Sequence, residues 1–317
     1  MPVLSVWRRP DSFPNDHPNY AGMTGLSVLP GTRAALADAD LWIVVGDRLD
    51  ENTLAGYALP RTGTDVVHAW RGGGTIPGGI GIPAGAREFL EALVDASAAD
   101  PAPVSPARED YVRGLRHRWE RESTPVPRPV ADGYVDQFAV AAALRDLLPR
   151  DVVTVTDAGN FSGWPARYLR WREPGTFLGP ISGAMGYAVP AAVGARLARP
   201  DRPVVAFVGD GGFLMTAAEL QTAAREGIEV TVIVYDNERY NTIRMHQERQ
   251  HPGRPIATHL GASDLAGVAR ALGAWAREVT SISDFATELP AALAYPGPAV
   301  VVVRCDPEQL AVSDWDQ

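Results

Sequence analysis

The 317-residue sequence predicts an α/β protein built on a parallel, doubly wound sheet, preceded by a partial α/β block. Four runs in the second half, 152–156, 204–208, 230–235 and 299–304, are almost continuously apolar or β-branched, as strands buried on both faces require. Segments of helical period alternate with them at 135–148, 184–198, 214–226 and 265–272, which is the order of a parallel sheet covered by helices. Two of the strand ends carry Gly209-Asp210-Gly211-Gly212 and Asp236-Asn237, at the edge where open α/β sheets place ligands.

The elements in chain order divide the sequence into three parts. Residues 1–96 show short strands at 3–6, 41–45 and 66–68, with helical segments near 32–39 and 86–94. Three strands make a thin parallel sheet, so this block reads as incomplete at its amino end. Residues 97–130 hold Pro101, Pro103, Pro106, Pro125, Pro127 and Pro129 around one charged helix at 108–121, the composition of an interdomain connector. Residues 131–317 form the doubly wound domain.

Composition narrows the function. With 46% hydrophobic residues the chain can build two cores of ordinary size. A net charge of -9 leaves no basic stripe for nucleic acid. No run reaches the roughly eighteen apolar residues of a membrane span, and the amino-terminal residues do not read as a secretion signal. The single cysteine, Cys305, follows a Val-rich strand and reads as a buried thiol in a reducing cytosol, so a cytoplasmic location is expected.

The chemistry gathers around Asp210. Its carboxylate ends one strand, and Asn237, twenty-seven residues later, ends another. One carboxylate and one amide oxygen suit a hard cation such as Mg²⁺, which completes its shell from phosphate and water. Gly209, Gly211 and Gly212 allow the backbone to approach an anion, and a helix start behind them would offer free N–H groups. A tight ligand-free turn is the plain alternative for Gly-Asp-Gly taken alone. Asp157-Ala158-Gly159-Asn160 follows another strand, so Asn160 either reaches the same pocket or serves a turn. Ser182-Gly183-Ala184-Met185-Gly186 opens the next helix. There the Gly183 carbonyl could accept from a ligand amine, and Met185 could press on a ring or fill core. Trp164 and Tyr168 could flank the pocket or the core. His246 could act as acid, base or bystander.

These residues resemble the thiamine diphosphate-dependent 2-oxo acid decarboxylase and carboligase family, in particular the catalytic subunit of acetohydroxyacid (acetolactate) synthase. Gly209-Asp210-Gly211 with Asn237 reproduces the family signature. The resemblance also runs through Gly183-Ala184-Met185-Gly186-Tyr187, Glu219-Leu220-Gln221-Thr222-Ala223 and Gly297-Pro298-Ala299-Val300, covering nearly all of 131–309. It implies a thiamine diphosphate-binding fold in which Asp210, Asn237 and the backbone oxygen of Arg239 hold Mg²⁺. Asn160, Gly209, Gly211, Gly212, Tyr240, Asn241 and Thr242 would lie along the cofactor. Gly183 would orient the aminopyrimidine amine, and Met185 would be the wedge that bends the cofactor. Asn241 stands where close relatives often carry Gly.

The resemblance covers residues 1–96 as the later part of the family's middle domain. Some relatives bind flavin there; the thin sheet and His68-Ala69-Trp70 at a usually acidic strand end argue against FAD in this chain. The family's pyrimidine-binding domain and its activating glutamate have no counterpart in these residues. The expectation is therefore a split enzyme, active with a second chain that carries them, in an α2β2 heterotetramer. Acetolactate synthase-like decarboxylation and ligation is the leading reaction. A decarboxylase or lyase for a larger acyl donor and a noncatalytic cofactor-binding regulatory subunit are the alternatives. A dinucleotide dehydrogenase is disfavoured, since Gly209-Asp210-Gly211-Gly212 is not a Gly-x-Gly-x-x-Gly turn.

Overall fold

The structure, a computed structural model, describes residues 1–101 and 103–315. Residue 102 of the expected connector and residues 316–317 of the expected second domain lie outside that range. The chain forms two compact units: Met1–Trp7 with His17–Glu122, and Arg8–Asp16 with Ser123–Gln317.

The first unit contains two small parallel sheets. One pairs β1 (Val3–Ser5) with β2 (Tyr20–Met23); after helix α1 (Pro30–Asp38), the other orders β3 (Leu41–Val45), β4 (Asp65–Ala69) and β5 (Ile80–Ile82). The sequence reading missed β2 and β5 because each is short and glycine-containing, which erases the apolar run. Trp42, Leu49, Leu54, Leu59 and Val66 form the core beside the larger sheet. Helix α2 (Ala86–Ala99) follows, and none of its residues is fully buried.

The charged helix of the expected connector is α3 (Pro106–Glu122), and it is a packed element of this unit. Leu115 joins Ala21 and Ala35, while Trp119 meets Tyr20 edge-on with ring centroids 4.8 Å apart. Glu122 accepts from the Gly31 N–H at 2.8 Å. The prolines around α3 thus mark its ends and not a free tether.

The second unit carries one six-stranded parallel sheet. Its strands are β6 (Val153–Thr156), β7 (Phe177–Leu178), β8 (Val204–Gly209), β9 (Val230–Asp236), β10 (Trp275–Val279) and β11 (Pro298–Arg304), in the spatial order β10-β11-β9-β8-β6-β7. Side chains alternate between two cores. Val204, Ala206 and Val208 of β8 face α6 (Ala188–Ala198) and its neighbours, and Val205 and Phe207 face the opposite core with α4 (Gln137–Leu147) and α11 (Ile282–Leu293). Both faces being apolar explains why the four inner strands read as unbroken runs. Edge strands β7 and β10 lack that pattern and were missed.

Side-chain caps mark the starts of α4 and α11. Asp136 accepts from the N–H groups of Phe138 and Ala139 at α4, and Ser281 from Asp284 at α11. Residues 8–16 belong to this unit because buried Asp11 accepts the N–H groups of Gly175, Thr176 and Phe177 at 2.8, 3.1 and 3.2 Å, just where β7 begins. The expected helix over 214–226 is two helices, α7 (Asp210–Thr216) and α8 (Glu219–Glu226). Among the described residues no helix is long and apolar enough to cross a membrane.

Leu289 on α11 is fully buried, whereas Leu90 on α2 is 47% exposed. Leu289→Ala should cost about 2–5 kcal/mol in urea unfolding of its unit, and Leu90→Ala no more than about 0.5 kcal/mol. Equal losses would contradict this placement of the core.

Candidate functional site

From the carboxyl end of β6 the chain runs toward β7, and from that of β8 it runs the opposite way toward β9, so the connections diverge between these two neighbouring strands. The crevice at such a switch point is where doubly wound sheets bind ligands. The ends of β6, β8 and β9 carry Asp157, Asp210 and Asn237 at that edge.

Asp210 is the first residue of α7 and is nearly buried, at 6% exposure. One carboxylate oxygen accepts from the Gly211 N–H at 2.7 Å; the other accepts from Asn237 and Arg239 N–H groups, each at 3.2 Å. Asn237 Oδ1 is 3.3 Å from the Arg239 nitrogen. Asp210, Asn237 and the Arg239 backbone are thus gathered into one corner spanning two strands. The residues on either side of Asn237 are pinned together: Arg304 donates to Asp236 at 2.8 Å and to Glu238 at 2.6 Å. Glu238 has φ +58°, an uncommon conformation for a residue with a side chain, and the ion pair holds it there. Neither flanking carboxylate nor Arg304 stood out in the sequence, because a charge at a strand end looks like ordinary surface until its partner is known.

The segment between Pro180 and α6 lies at the same edge. Gly183 takes φ +73° and Gly186 φ +84°, so both need glycine. Met185, between them, is 38% exposed, which disposes of the core alternative. Ile181, Leu214, Met215 and Ile243 are exposed apolar side chains on neighbouring segments of the unit. Arg8 donates to the Ile181 carbonyl. Asp157 accepts the N–H groups of Gly186 and Tyr187 at 2.8 and 3.3 Å.

Asn160 is committed to the protein. Its N–H and its Oδ1 each lie 3.0 Å from Thr242 Oγ1, and its Nδ2 donates to the Leu310 carbonyl at 2.9 Å. Asn241, the first residue of α9 (Asn241–Gln250), donates to the same carbonyl at 2.9 Å and leaves its Oδ1 buried without a partner. Asn160, Asn241 and Thr242 are therefore brought together beside the Asp210 corner. The glycines also have close protein neighbours. A Cβ at Gly211 would lie 2.4 Å from the Tyr240 ring, and one at Gly212 2.7 Å from Asp157 Oδ2. At Gly209 it would be 3.2 Å from Phe161. A side chain at Gly211 or Gly212 would force a protein neighbour to shift, whereas at Gly209 Phe161 would have to give only slightly. Trp164 and Tyr168 pack with Phe138, Ala141 and Val312 in a buried cluster and do not line the site. His246 is exposed on α9.

The arrangement suits a cation bound together with an anion. Among the described residues no three His, Cys, Asp or Glu side chains gather to hold a metal, so a cation at this corner would combine Asp210 with neutral oxygens and a ligand's own. Burial pushes the Asp210 carboxyl up to about 7; the Gly211 N–H opposes this, Asp236 adds to it, and the N–H groups of Asn237 and Arg239 oppose it again. Burial also raises Asp157, against the N–H groups of Ala158, Gly186, Tyr187 and Ala188. A divalent cation would favour ionised Asp210.

Because folding raises the Asp210 pKa from the ordinary 3.8 to about 7, the cation-free fold prefers the protonated acid. Its contribution to stability is complete below about pH 4 and is lost as pH rises through about 7. Asp210→Asn should therefore flatten the fall in cation-free stability between about pH 4 and 7. Denaturant midpoints with the same pH slope as wild type would refute the assignment.

Residues 157–303 match the family described as thiamine pyrophosphate enzyme, C-terminal TPP binding domain, and residues 1–93 match the thiamine pyrophosphate enzyme central domain. Sulfoacetaldehyde acetyltransferase of Alcaligenes xylosoxydans xylosoxydans is 28% identical over 92% of this chain and 53% of its own length. The acetolactate synthase large subunit of Corynebacterium glutamicum is 31% identical over 82% of this chain and 42% of its own. In three dimensions the chain superposes on the thiamine diphosphate-dependent 4-hydroxybenzoylformate decarboxylase of Rhodococcus jostii RHA1 with a TM-score of 0.77 at 24% identity, covering 96% of this chain and 56% of that one. The chain spans about half the length of the curated relatives it matches. Its strand-end corner, its parallel sheet and these matches place the chain in the thiamine pyrophosphate enzyme family, of which it carries the central and C-terminal TPP-binding domains.

Proposed function

We propose that this chain holds the diphosphate and Mg²⁺ of thiamine diphosphate in an enzyme that decarboxylates a 2-oxo acid and passes the acyl remainder to an acceptor, as an acetolactate synthase does. The observation that carries the reading is the convergence of Asp210, Asn237 and Arg239 at two adjacent strand ends, with both N–H contacts to Asp210 at 3.2 Å. Asp210, Asn237 and the Arg239 carbonyl would take the cation. Gly209, Gly211, Gly212, Tyr240 and the Asn160–Thr242–Asn241 group would border the diphosphate. The Gly183 carbonyl would orient the aminopyrimidine amine, and exposed Met185 would support the bend between the rings. When bound, the thiazolium ring of thiamine diphosphate takes up the electron pair released as CO₂ leaves. The protein's part is to fix that ring's orientation and lower the entropic cost of proton transfer.

The glutamate that activates the cofactor would come from polypeptide that supplies the pyrimidine side, outside these 317 residues. Glu238, beside the corner, is engaged by Arg304 and does not serve. With Trp164 and Tyr168 in the core, nothing among the site residues favours a larger aromatic donor.

The test is titration calorimetry of the chain with thiamine diphosphate, with and without Mg²⁺, followed by CO₂ release from a panel of 2-oxo acids. Binding should require Mg²⁺, and Asp210→Ala should weaken it by roughly tenfold or more, the loss of one charged ligand. Turnover should appear only when a protein supplying the pyrimidine side is added. Turnover by the chain alone would overturn the partner, and no cofactor binding with that protein present would overturn the reading.

A further inference from the structure

The loop at 183–187 carries the two residues given the ring side of the cofactor, yet its own sequence offers little to hold it. Gly183 and Gly186 are both in the left-handed region, and Met185 is partly exposed. Helix α6, which starts directly after the loop, has no side-chain cap from its N-cap residue Tyr187. A start of that kind leaves orphan N–H groups.

Asp157 supplies what is missing, from a different element. It follows β6 at the switch point and is 1% exposed. Its Oδ2 accepts from Gly186 at 2.8 Å, its Oδ1 from Tyr187 at 3.3 Å and from Ala158 at 2.7 Å, and the Ala188 N–H also faces it. Two of these donors are the last residues of the loop and another opens α6, so one carboxylate ties the loop to the strand end. The position is confined from the far side as well, because a Cβ at Gly212 would come within 2.7 Å of Oδ2. Asp157 makes no bond to Asp210, Asn237 or Arg239, whose corner is held by β8, β9 and Arg304.

We infer that Asp157 is a positioning residue that sets the 183–187 loop, and through Gly183 and Met185 the ring end of the bound cofactor, while leaving the diphosphate-and-cation end to the Asp210 corner. The inference rests on the cofactor reading above. A residue that only stabilised the fold would affect both ends together; Asp157 should separate them.

The experiment compares thiamine diphosphate with inorganic pyrophosphate, both in Mg²⁺, for wild type and Asp157→Asn in the full chain. The Asn variant keeps the shape and one acceptor but turns an NH₂ toward backbone N–H groups. Thiamine diphosphate should bind roughly tenfold or more weakly, pyrophosphate within about twofold of wild type, and the amides of 186–188 should exchange faster with solvent. Equal weakening of both ligands, or no change in either, would overturn the inference. If the Asn variant does not fold, Asp157→Glu, with the same acceptors one methylene further out, gives the same comparison. Wild type that binds neither ligand, even with the pyrimidine-side protein present, would instead mean that the cofactor reading has failed, and the inference with it.

Discussion

A carboxylate buried at the end of a central strand is the constraint around which the second unit is organised. Asp210 gives up hydration, and the N–H groups of Gly211, Asn237 and Arg239 return only part of it, which is why its acid strength falls so far. To present those donors, β9 must end beside β8 and turn sharply at Glu238, and the parallel register with Gly209 opposite Tyr235 delivers that geometry. Asp236 would worsen the repulsion if left alone. Arg304, at the end of the next strand, supplies its counter-charge.

The sheet was legible because its inner strands are apolar on both faces, and helices of the right period separate them. Its edges were not: β7 has two residues, and β10 includes Arg277 and Glu278. Composition misled in the connector. Proline-rich flanks suggested a tether, yet Leu115 and Trp119 give α3 an apolar stripe too narrow to register against fifteen other mostly charged or small residues. Asp11 shows a different limit, since three N–H donors more than 160 residues away cannot be inferred from a single aspartate in a loop.

At the site, the residues that could touch a ligand were legible and those that hold them were not. Asp210 and Asn237 announce themselves by type and position at strand ends. Asp157 was visible as a strand-end acid, but its partners lie about thirty residues on in a loop whose path no local pattern gives. Asn160, read from sequence as a pocket or a turn residue, bonds Thr242 and Leu310, partners that no local pattern gives.

Gly211 and Gly212 are fixed by the Tyr240 ring and by the Asp157 carboxylate, both parts of the protein. In an evolutionary lineage this separates two kinds of memory. A descendant that abandoned the cofactor would go on needing both glycines merely to fold, and its Gly-Asp-Gly would persist as a fossil. Met185, by contrast, is partly exposed. On the proposed function, the position that would record the loss of the cofactor is Met185 rather than these two glycines.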